Sequence, residues 1–278
     1  MTVDPDRWAL PDEDHRFTLG IHPGDPVAFF GPSADREALL AERRHWLQED
    51  PERYVAAVPA AESCLKEIED LATNWGFTPT QSSNRPVDRL TDLGRQIEPD
   101  LVLLVPGPSG AATVVGGSVC FPSFWRLSDK IGLSLAAVHE IVPGLNASLE
   151  SSINRYLSQM KAGGCWLRAN WGLASRPDLN EHRDRERHPW TRPLSLDNVW
   201  LRREDQAILS LPKSRGVLFG IRVVVRSLAE LTRTPANAQR LSRGLRTMPA
   251  DFIFYKGLTD VRTEVIDLLD SLGDQLSQ

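Results

Sequence analysis

The sequence predicts an α+β fold in which helices come first, an antiparallel sheet occupies the middle of the chain and helices close it. Three patterns indicate this order. Helix-forming residues with spaced apolar positions dominate 33–74, short apolar or alternating runs follow over 101–225, and helical patterns return after Pro235. The chain has no internal repeat or low-complexity linker. We therefore expect one domain over 33–278, preceded by an irregular, proline-rich and polar arm over 1–32.

The helical segments are bounded by capping residues and prolines. Ser33 is a candidate N-cap for a helix that ends near Glu49, and Pro51 is predicted to open a second helix that extends to about Asn74. An apolar stripe in this second helix predicts a core-facing surface, with a partner-binding face as the alternative. The other predicted helices are Pro86–Gln96, Leu145–Lys161, Pro235–Met248 and Asp260–Leu276.

Five apolar segments have β character, and the turns between them suit an antiparallel sheet. They are Leu101–Val105, Ala111–Cys120, Cys165–Leu173, Val199–Leu209 and Gly216–Val225. Pro-Gly-Pro-Ser-Gly over 106–110 predicts a hairpin connection, since no Gly-Lys-Ser/Thr accompanies it as in a phosphate-binding loop. In the fourth segment Arg202, Glu204 and Gln206 recur every second residue, so a strand places them on one face.

Composition and charge exclude several classes of protein. The 278 residues are 41% hydrophobic and 25% charged, which is ordinary for a globular protein. A formal net charge of −5 argues against non-specific nucleic-acid binding. No stretch approaches the roughly 18 apolar residues of a membrane span. The N-terminus lacks the pattern of a secretory signal, and the three cysteines are far apart, so we expect a cytoplasmic protein without a disulfide framework.

The most polar segment, 176–197, is predicted to be a solvated loop. Its histidines, His182 and His188, are six positions apart, which does not match a helical pair of metal ligands, and the neighbouring arginines would oppose a cation. A loop of this length also suits a mobile lid or a docking surface.

A lone histidine lies in the segment 116–144. The apolar run Leu133–Val138 ends at His139, and Val142-Pro143-Gly144 follows. Proline restricts its own backbone and that of the residue before it, and glycine permits a sharp turn. The backbone that follows His139 is therefore conformationally restricted. A conformationally restricted segment suits a metal ligand or a catalytic base, and it also suits an ordinary buried histidine.

Several short blocks occur in a characteristic order along the chain. They are Val-Cys-Phe-Pro-Ser-Phe-Trp-Arg-Leu-Ser-Asp-Lys-Ile-Gly (119–132), Val-His-Glu-Ile-Val-Pro-Gly (138–144), Arg-Ala-Asn-Trp (168–171), Arg-x-Glu-x-Gln (202–206) with Leu211-Pro212, and Tyr-Lys-Gly (255–257). Over roughly residues 30 to 270 this set resembles the family of haem-dependent oxidative N-demethylases of the α-subunit type. The resemblance implies that the sheet is a haem-binding, PAS-like sheet.

A haem needs one protein ligand, an apolar slot and cations for its propionates, whereas the scattered histidines form no protein-only metal site. The resemblance implies that His139 is the axial ligand of the iron. Arg168, Arg222 and Arg126 are the candidates for binding the propionates, and the alternative for each arginine is a structural salt bridge.

The resemblance also implies an activity. A haem b would reduce dioxygen and oxidise the methyl group of a secondary amine such as dimethylamine, and the carbinolamine formed would collapse to a primary amine and formaldehyde. Glu140, Glu204 and Asn170 are the candidate catalytic residues, as acceptors for a cationic amine. Glu140 itself, Ile141 and Asp205 differ from the residues expected in relatives.

The sequence contains no dinucleotide fingerprint and no ferredoxin-like cysteine set. Electrons are therefore expected to come from a separate flavin or iron–sulfur reductase, as the resemblance also implies. Two alternatives remain open at this point, namely a haem-binding sensor or carrier without turnover, and a protein that kept the fold without haem.

Overall fold

The computed structural model describes residues 10, 12–79, 83–107 and 110–275. The strands are β1 (His22–Pro23), β2 (Val55–Ala57), β3 (Asp100–Pro106), β4 (Ala112–Ser118), β5 (Cys165–Ala174), β6 (Trp200–Leu211) and β7 (Gly216–Ser227). Within the described residues they form one seven-stranded sheet in the order β1-β5-β6-β7-β3-β4-β2, and all neighbours pair antiparallel. The predicted α+β class with an antiparallel sheet is confirmed.

Helices precede, interrupt and follow the strands. They are α1 (Pro26–Phe30), α2 (Arg36–Glu49), α3 (Pro51–Tyr54), α4 (Glu62–Asn74), α5 (Pro86–Gly94), α6 (Leu135–His139), α7 (Leu145–Ser158), α8 (Leu228–Leu231), α9 (Pro235–Thr247), α10 (Ala250–Tyr255) and α11 (Arg262–Gln275). In the described part of the chain, none of these helices has the length and apolar character needed to cross a bilayer.

The two faces of the sheet pack against different helices because side chains alternate along each strand. Leu101, Leu103 and Leu218 point to one side, where they join a buried cluster with the N-terminal helices; we call this side the back face. Val102 and Leu104 point to the other side and pack with residues of α6; we call this side the front face.

The longest hairpin, β6–β7, lies in the middle of the sheet and contributes side chains to both faces. Its register pairs Trp200 with Ser227 and Leu211 with Gly216. The predicted turn over 212–215 joins the two strands. The turn predicted over 106–110 lies partly outside the described residues, although the strands on either side of it, β3 and β4, pair as expected.

The helix predicted from Pro51 to Asn74 is wrong, because the chain forms three elements there. Helix α3 ends after one turn, β2 pairs with β4, and α4 begins only at Glu62. Pro59 is the physical reason, since it lacks an N–H and disfavours helical backbone at Val58. Leu65, in the helical part of the predicted stripe, is fully buried, which supports the core-facing interpretation.

The N-terminal region is more regular than predicted. The stretch expected to be an irregular arm contains β1 and α1, and Phe30 of α1 packs so closely on β7 that a Cβ at Gly220 would lie 2.5 Å from its ring. Ser33 does not cap α2, whose N-cap is Asp35. The Ser33 hydroxyl instead donates to Glu98 at 2.5 Å.

The segment 176–197 forms no helix or strand of the sheet, in agreement with the prediction of a loop. It is only partly solvated, however. His182 is 2% exposed and packs edge-on against Tyr54, whose hydroxyl accepts a hydrogen bond from the buried Asn180. The loop is therefore anchored to the core at its centre.

Candidate functional site

The lone histidine of the sequence lies at the end of a short, well-bounded helix. The Ser134 hydroxyl caps α6 by accepting the N–H of Ala137 at 3.3 Å, and His139 is the last helical residue. Gly144 then adopts a left-handed conformation with φ +74°, which turns the chain into α7. His139 is half-buried and is held between a capped helix start and a fixed turn.

Four polar side chains lie together on the front face of β5 and β6. The register places Arg168 opposite Gln206 and Asn170 opposite Glu204. Directly opposite residues of an antiparallel pair share a face, so the four side chains form a polar patch on the sheet. The structure thus brings together two of the predicted catalytic residues, Asn170 and Glu204, with the predicted cofactor-binding residue Arg168.

His139 lies close enough to Arg168 for the two groups to interact electrostatically. Burial lowers the pKa of His139, and the positive charges of Arg168 and Lys130 lower it further. The imidazole is therefore neutral near pH 7, which is the form that binds a metal ion. Burial also lowers the pKa of the Arg168 guanidinium, while Glu204 raises it.

Three buried polar atoms on β5 and α7 have no hydrogen-bond partner among the described residues, namely Arg168 Nε, Asn146 Oδ1 and Tyr156 OH. Asn146 is on α7, and its amide nitrogen donates to the carbonyl of Ala136 at 2.8 Å. Tyr156, also on α7, meets the Trp166 ring of β5 edge-on, with centroids 5.6 Å apart. Helix α7 therefore lies along the β5 edge of the front face.

Both α6 and α7 carry apolar side chains that the protein only half buries. Leu149 and Ile153 of α7 are examples, and no described side chain on either helix is fully buried. A 14-residue helix with an apolar stripe normally buries that stripe against its own sheet. This pair of helices instead presents an apolar surface next to the unpaired polar atoms.

The carboxylate of Glu204 is held from two sides. Ser123 Oγ donates to one oxygen at 2.6 Å, and Gln206 Nε2 donates to the other at 2.9 Å. Arg202 Nε in turn donates to Ser123 Oγ at 2.8 Å. The buried Arg202 guanidinium also donates to the carbonyls of Phe121 and other loop residues, so the whole network is rigidly supported.

Lys256 is a site residue that the residue-by-residue reasoning missed. Its Nζ donates to the carbonyl of Trp171 at 2.6 Å and lies beside Gly172, where an added Cβ would be 3.9 Å away. Burial lowers the pKa of Lys256 to about 8, although Glu204 acts in the opposite direction. Its only signal in the sequence was the Tyr-Lys-Gly block, which gave no role to the lysine.

Arg222 is not part of this group. It lies opposite Asp205 on β6, so its side chain points to the back face. There it forms a buried ion pair with Glu98 at 2.5 Å and donates to the carbonyl of Phe29 at 2.7 Å. Its guanidinium therefore lies on the side of the sheet away from His139. In this structure Arg222 forms a structural salt bridge, which was the alternative to propionate binding.

Arg126 and Glu140 also lie apart from the polar patch. Arg126 is near the surface and pairs with Asp129 at 2.7 Å and Asp184 at 3.3 Å. Glu140 follows directly after His139 in the chain and is solvent-exposed. The structure therefore gives Arg126 a structural salt bridge and leaves Glu140 at the protein surface.

A comparison with protein families decides the identity at family level. The model of the family described as haem-dependent oxidative N-demethylase, alpha subunit-like, matches residues 36–266, which is most of the chain. The chain belongs to this family. Membership links the alpha subunit-like chain to haem-dependent oxidative N-demethylation, and the word subunit links it to other polypeptides. The resemblance predicted from the ordered sequence blocks is confirmed.

The residues of this chain fit a haem. His139 supplies a neutral imidazole, Arg168 supplies a cation with an unpaired N–H, and the two helices supply an apolar surface. The three cysteines, Cys64, Cys120 and Cys165, are instead buried in the core cluster of the back face, away from His139. Among the described residues no cluster of three or more His, Cys, Asp or Glu side chains offers a competing metal site.

Proposed function

We propose that this chain is the haem-binding subunit of an enzyme that oxidatively demethylates a secondary amine, such as dimethylamine, to a primary amine and formaldehyde. One observation carries the proposal beyond family membership. His139 and Arg168 interact electrostatically at the front face, and α7 adds a half-buried apolar surface and buried polar atoms that have no partner among the described residues. A flat apolar cofactor with an anionic edge and one open metal position is complementary to this arrangement.

In this proposal His139 holds the iron and Arg168 pairs with a propionate. When bound, the haem supplies the activation of dioxygen and the oxidation of the methyl carbon. One oxygen atom enters the carbinolamine, whose C–N bond then breaks to release formaldehyde and the primary amine. The other oxygen leaves as water, with two electrons and two protons from an external donor. A separate flavin or iron–sulfur reductase is the donor that we propose.

The protein residues would bind and orient the amine. The carboxylate of Glu204 is fixed by two donors, so its remaining lone pairs have a constant direction toward a cationic amine. Asn170, directly across from Glu204, offers an amide oxygen for a second N–H. Glu140, being solvent-exposed, is more suited to the entrance of the site than to contact with the reacting carbon.

Haem binding is tested by expressing the protein with added haem and recording the visible spectrum. We expect a Soret band in the wild type that is absent from His139→Ala. His45→Ala is the matched control, because His45 is 63% exposed on α2 and should leave the spectrum unchanged. A His139→Ala protein with the wild-type spectrum would refute the assignment of the ligand.

Propionate binding is tested by haem retention after gel filtration. Arg168→Met keeps most of the side-chain volume but removes the charge, and we expect it to lose haem faster than the wild type. Arg155→Met, an exposed substitution on α7, serves as the control. Equal occupancy in Arg168→Met and the control would contradict the proposed role of Arg168.

Turnover is tested by formaldehyde release from haem-loaded protein with amine, dioxygen and a reductant. Release from dimethylamine or a close analogue is the expected result. A haem-loaded protein that released no formaldehyde from any of a range of amines would instead be a sensor or carrier. That outcome is the alternative function that the sequence leaves open.

A further inference from the structure

An amine and a carboxylate of this chain approach the same part of the front face without pairing. Lys256 arrives from the end of α10, and its Nζ lies beside Gly172 of β5. Glu204 arrives from β6 and interacts electrostatically with Lys256. In the described part of the chain, no salt bridge joins the two groups.

Hydrogen bonds to other groups keep the Lys256 amine and the Glu204 carboxylate from pairing. Both oxygens of the Glu204 carboxylate accept hydrogen bonds, from Ser123 and Gln206, so the carboxylate cannot turn toward the lysine without breaking one of them. Lys256 Nζ is committed to the carbonyl of Trp171. The amine also lies over the rings of Phe252, at 5.0 Å, and Trp171, at 6.0 Å, whose faces attract an ammonium but do not replace hydrogen-bond acceptors for its remaining N–H groups. A neutral amine donates fewer hydrogen bonds and has a lone pair to offer.

The charges of the site give a reason for a base here. A secondary amine reaches the protein mainly as an ammonium ion, and a positive charge on nitrogen opposes the removal of electrons from the adjacent methyl group. The amine must therefore lose a proton before it is oxidised. Because Glu204 is engaged at both oxygens, its role is better suited to charge compensation than to proton transfer.

We propose that Lys256 is a further catalytic residue, the base that takes the proton from the substrate ammonium next to Glu204. The N–H bond of the ammonium breaks, its electron pair remains on the substrate nitrogen, and the proton bonds to the lone pair of Lys256 Nζ. The positive charge moves to Lys256, where the Glu204 carboxylate stabilises it. This inference rests on the proposed function.

Two other titratable groups of the described chain near Lys256, His15 and Tyr255, are uncharged around pH 8. Burial lowers the pKa of His15, and Lys256 lowers it further. Burial raises the pKa of Tyr255, and Glu204 raises it further. With both neutral, the lowered pKa of Lys256, about 8, places the neutral amine within reach of ordinary working conditions.

The first test measures the titration of Lys256 directly and does not depend on turnover. The chain has five lysines, so selective 13Cε labelling gives few NMR signals. We expect one signal that titrates near pH 8, is missing from Lys256→Met and is retained in Lys213→Met. Lys213 is a suitable control because it is exposed and ion-paired with Asp70, which raises its pKa. Five signals that all titrate near pH 10 or above would overturn the inference.

The second test is the pH profile of formaldehyde release by haem-loaded protein. In the wild type, kcat/KM should rise with pH through about 8, because Lys256 is neutral above its pKa. Lys256→Arg keeps a cation that cannot deprotonate, so we expect kcat/KM to fall on the order of 100-fold above pH 8 and the rise to disappear. The Soret band and circular dichroism of the variant should match those of the wild type.

The outcomes separate this inference from the proposed function. A wild type that turns over, together with a Lys256→Arg variant of the same pH profile and rate, would overturn the role of Lys256 and leave the proposed function intact. A wild type that binds haem but releases no formaldehyde at any pH would overturn the proposed function, and the role of Lys256 with it.

Discussion

Replacing Lys256 by methionine should stabilise the folded protein near pH 7. Methionine has nearly the same length and apolar volume, but it carries no charge to be removed from water. The folded state lowers the pKa of Lys256 from 10.5 to about 8, chiefly through burial. Folding therefore opposes protonation of this amine, and the unfolded chain binds the proton more tightly.

The size of the effect follows from the two pKa values. At roughly 1.4 kcal/mol for each tenfold change in proton affinity, the protonated lysine costs the fold at most about 3 kcal/mol below pH 8. The side chain keeps some exposed surface, which reduces this cost. The variant also leaves the carbonyl of Trp171 without its donor, at a cost of about 1 kcal/mol. We expect a net gain of about 1–2 kcal/mol at pH 7.

The pH dependence is the decisive part of this prediction. Between pH 8 and 10.5 the unfolded state holds a proton that the folded state has released, so the stability of the wild type rises with pH in that window. The advantage of Lys256→Met should therefore shrink and then reverse as the pH approaches 10.5. Urea denaturation of both proteins at pH 7, 8.5 and 10 measures this difference. A constant difference across the three pH values, or a variant less stable at pH 7, would refute the reasoning.

Three other substitutions test the fold around the site. Arg222→Met removes the shorter of two ion pairs of the buried Glu98, leaving Arg36 at 3.7 Å, and should cost about 2–3 kcal/mol in urea denaturation, while the folded fraction keeps its Soret band. A shifted Soret band would show that Arg222 does contact the haem. Gly144→Ala, at φ +74°, should cost about 1–2 kcal/mol and weaken haem retention, and unchanged retention would show that the turn does not orient the histidine. Gly220→Ala places a Cβ 2.5 Å from the ring of Phe30 and should cost about 1–3 kcal/mol by thermal denaturation, whereas a variant with the wild-type Tm would mean that the ring moves freely.

The residues that were read correctly from the sequence are those whose environment is local. The period of two over Arg202, Glu204 and Gln206 predicted a shared strand face, and the register of β6 against β5 bears it out. Pro143 and Gly144 predict a turn after His139 from backbone chemistry alone, and φ +74° at Gly144 agrees with a turn there. Such features depend on a few neighbouring residues, so they can be predicted without knowledge of the tertiary contacts.

The errors arose where a distant partner decided the outcome. Residues 55–57 have good helix formers around them, yet they form a strand because β4 offers a free edge and Pro59 stops the helix. His182 lies in the most charged segment of the chain, yet it is buried against the ring of Tyr54, which is distant in the sequence. Neither partner is visible within a window of local sequence.

The sequence by itself determined the family, the order of helices and strands, and the residue types that a haem protein needs, because these follow from ordered motifs and short-range periodicity. Only the tertiary structure decided which charges share a face of the sheet. It separated Arg222 from Arg168 and brought Lys256 next to Glu204 across 52 residues of chain, since strand register and helix docking set those distances. Side-chain direction on a sheet reverses with every residue, so the composition of the site depends on pairing that no single segment encodes.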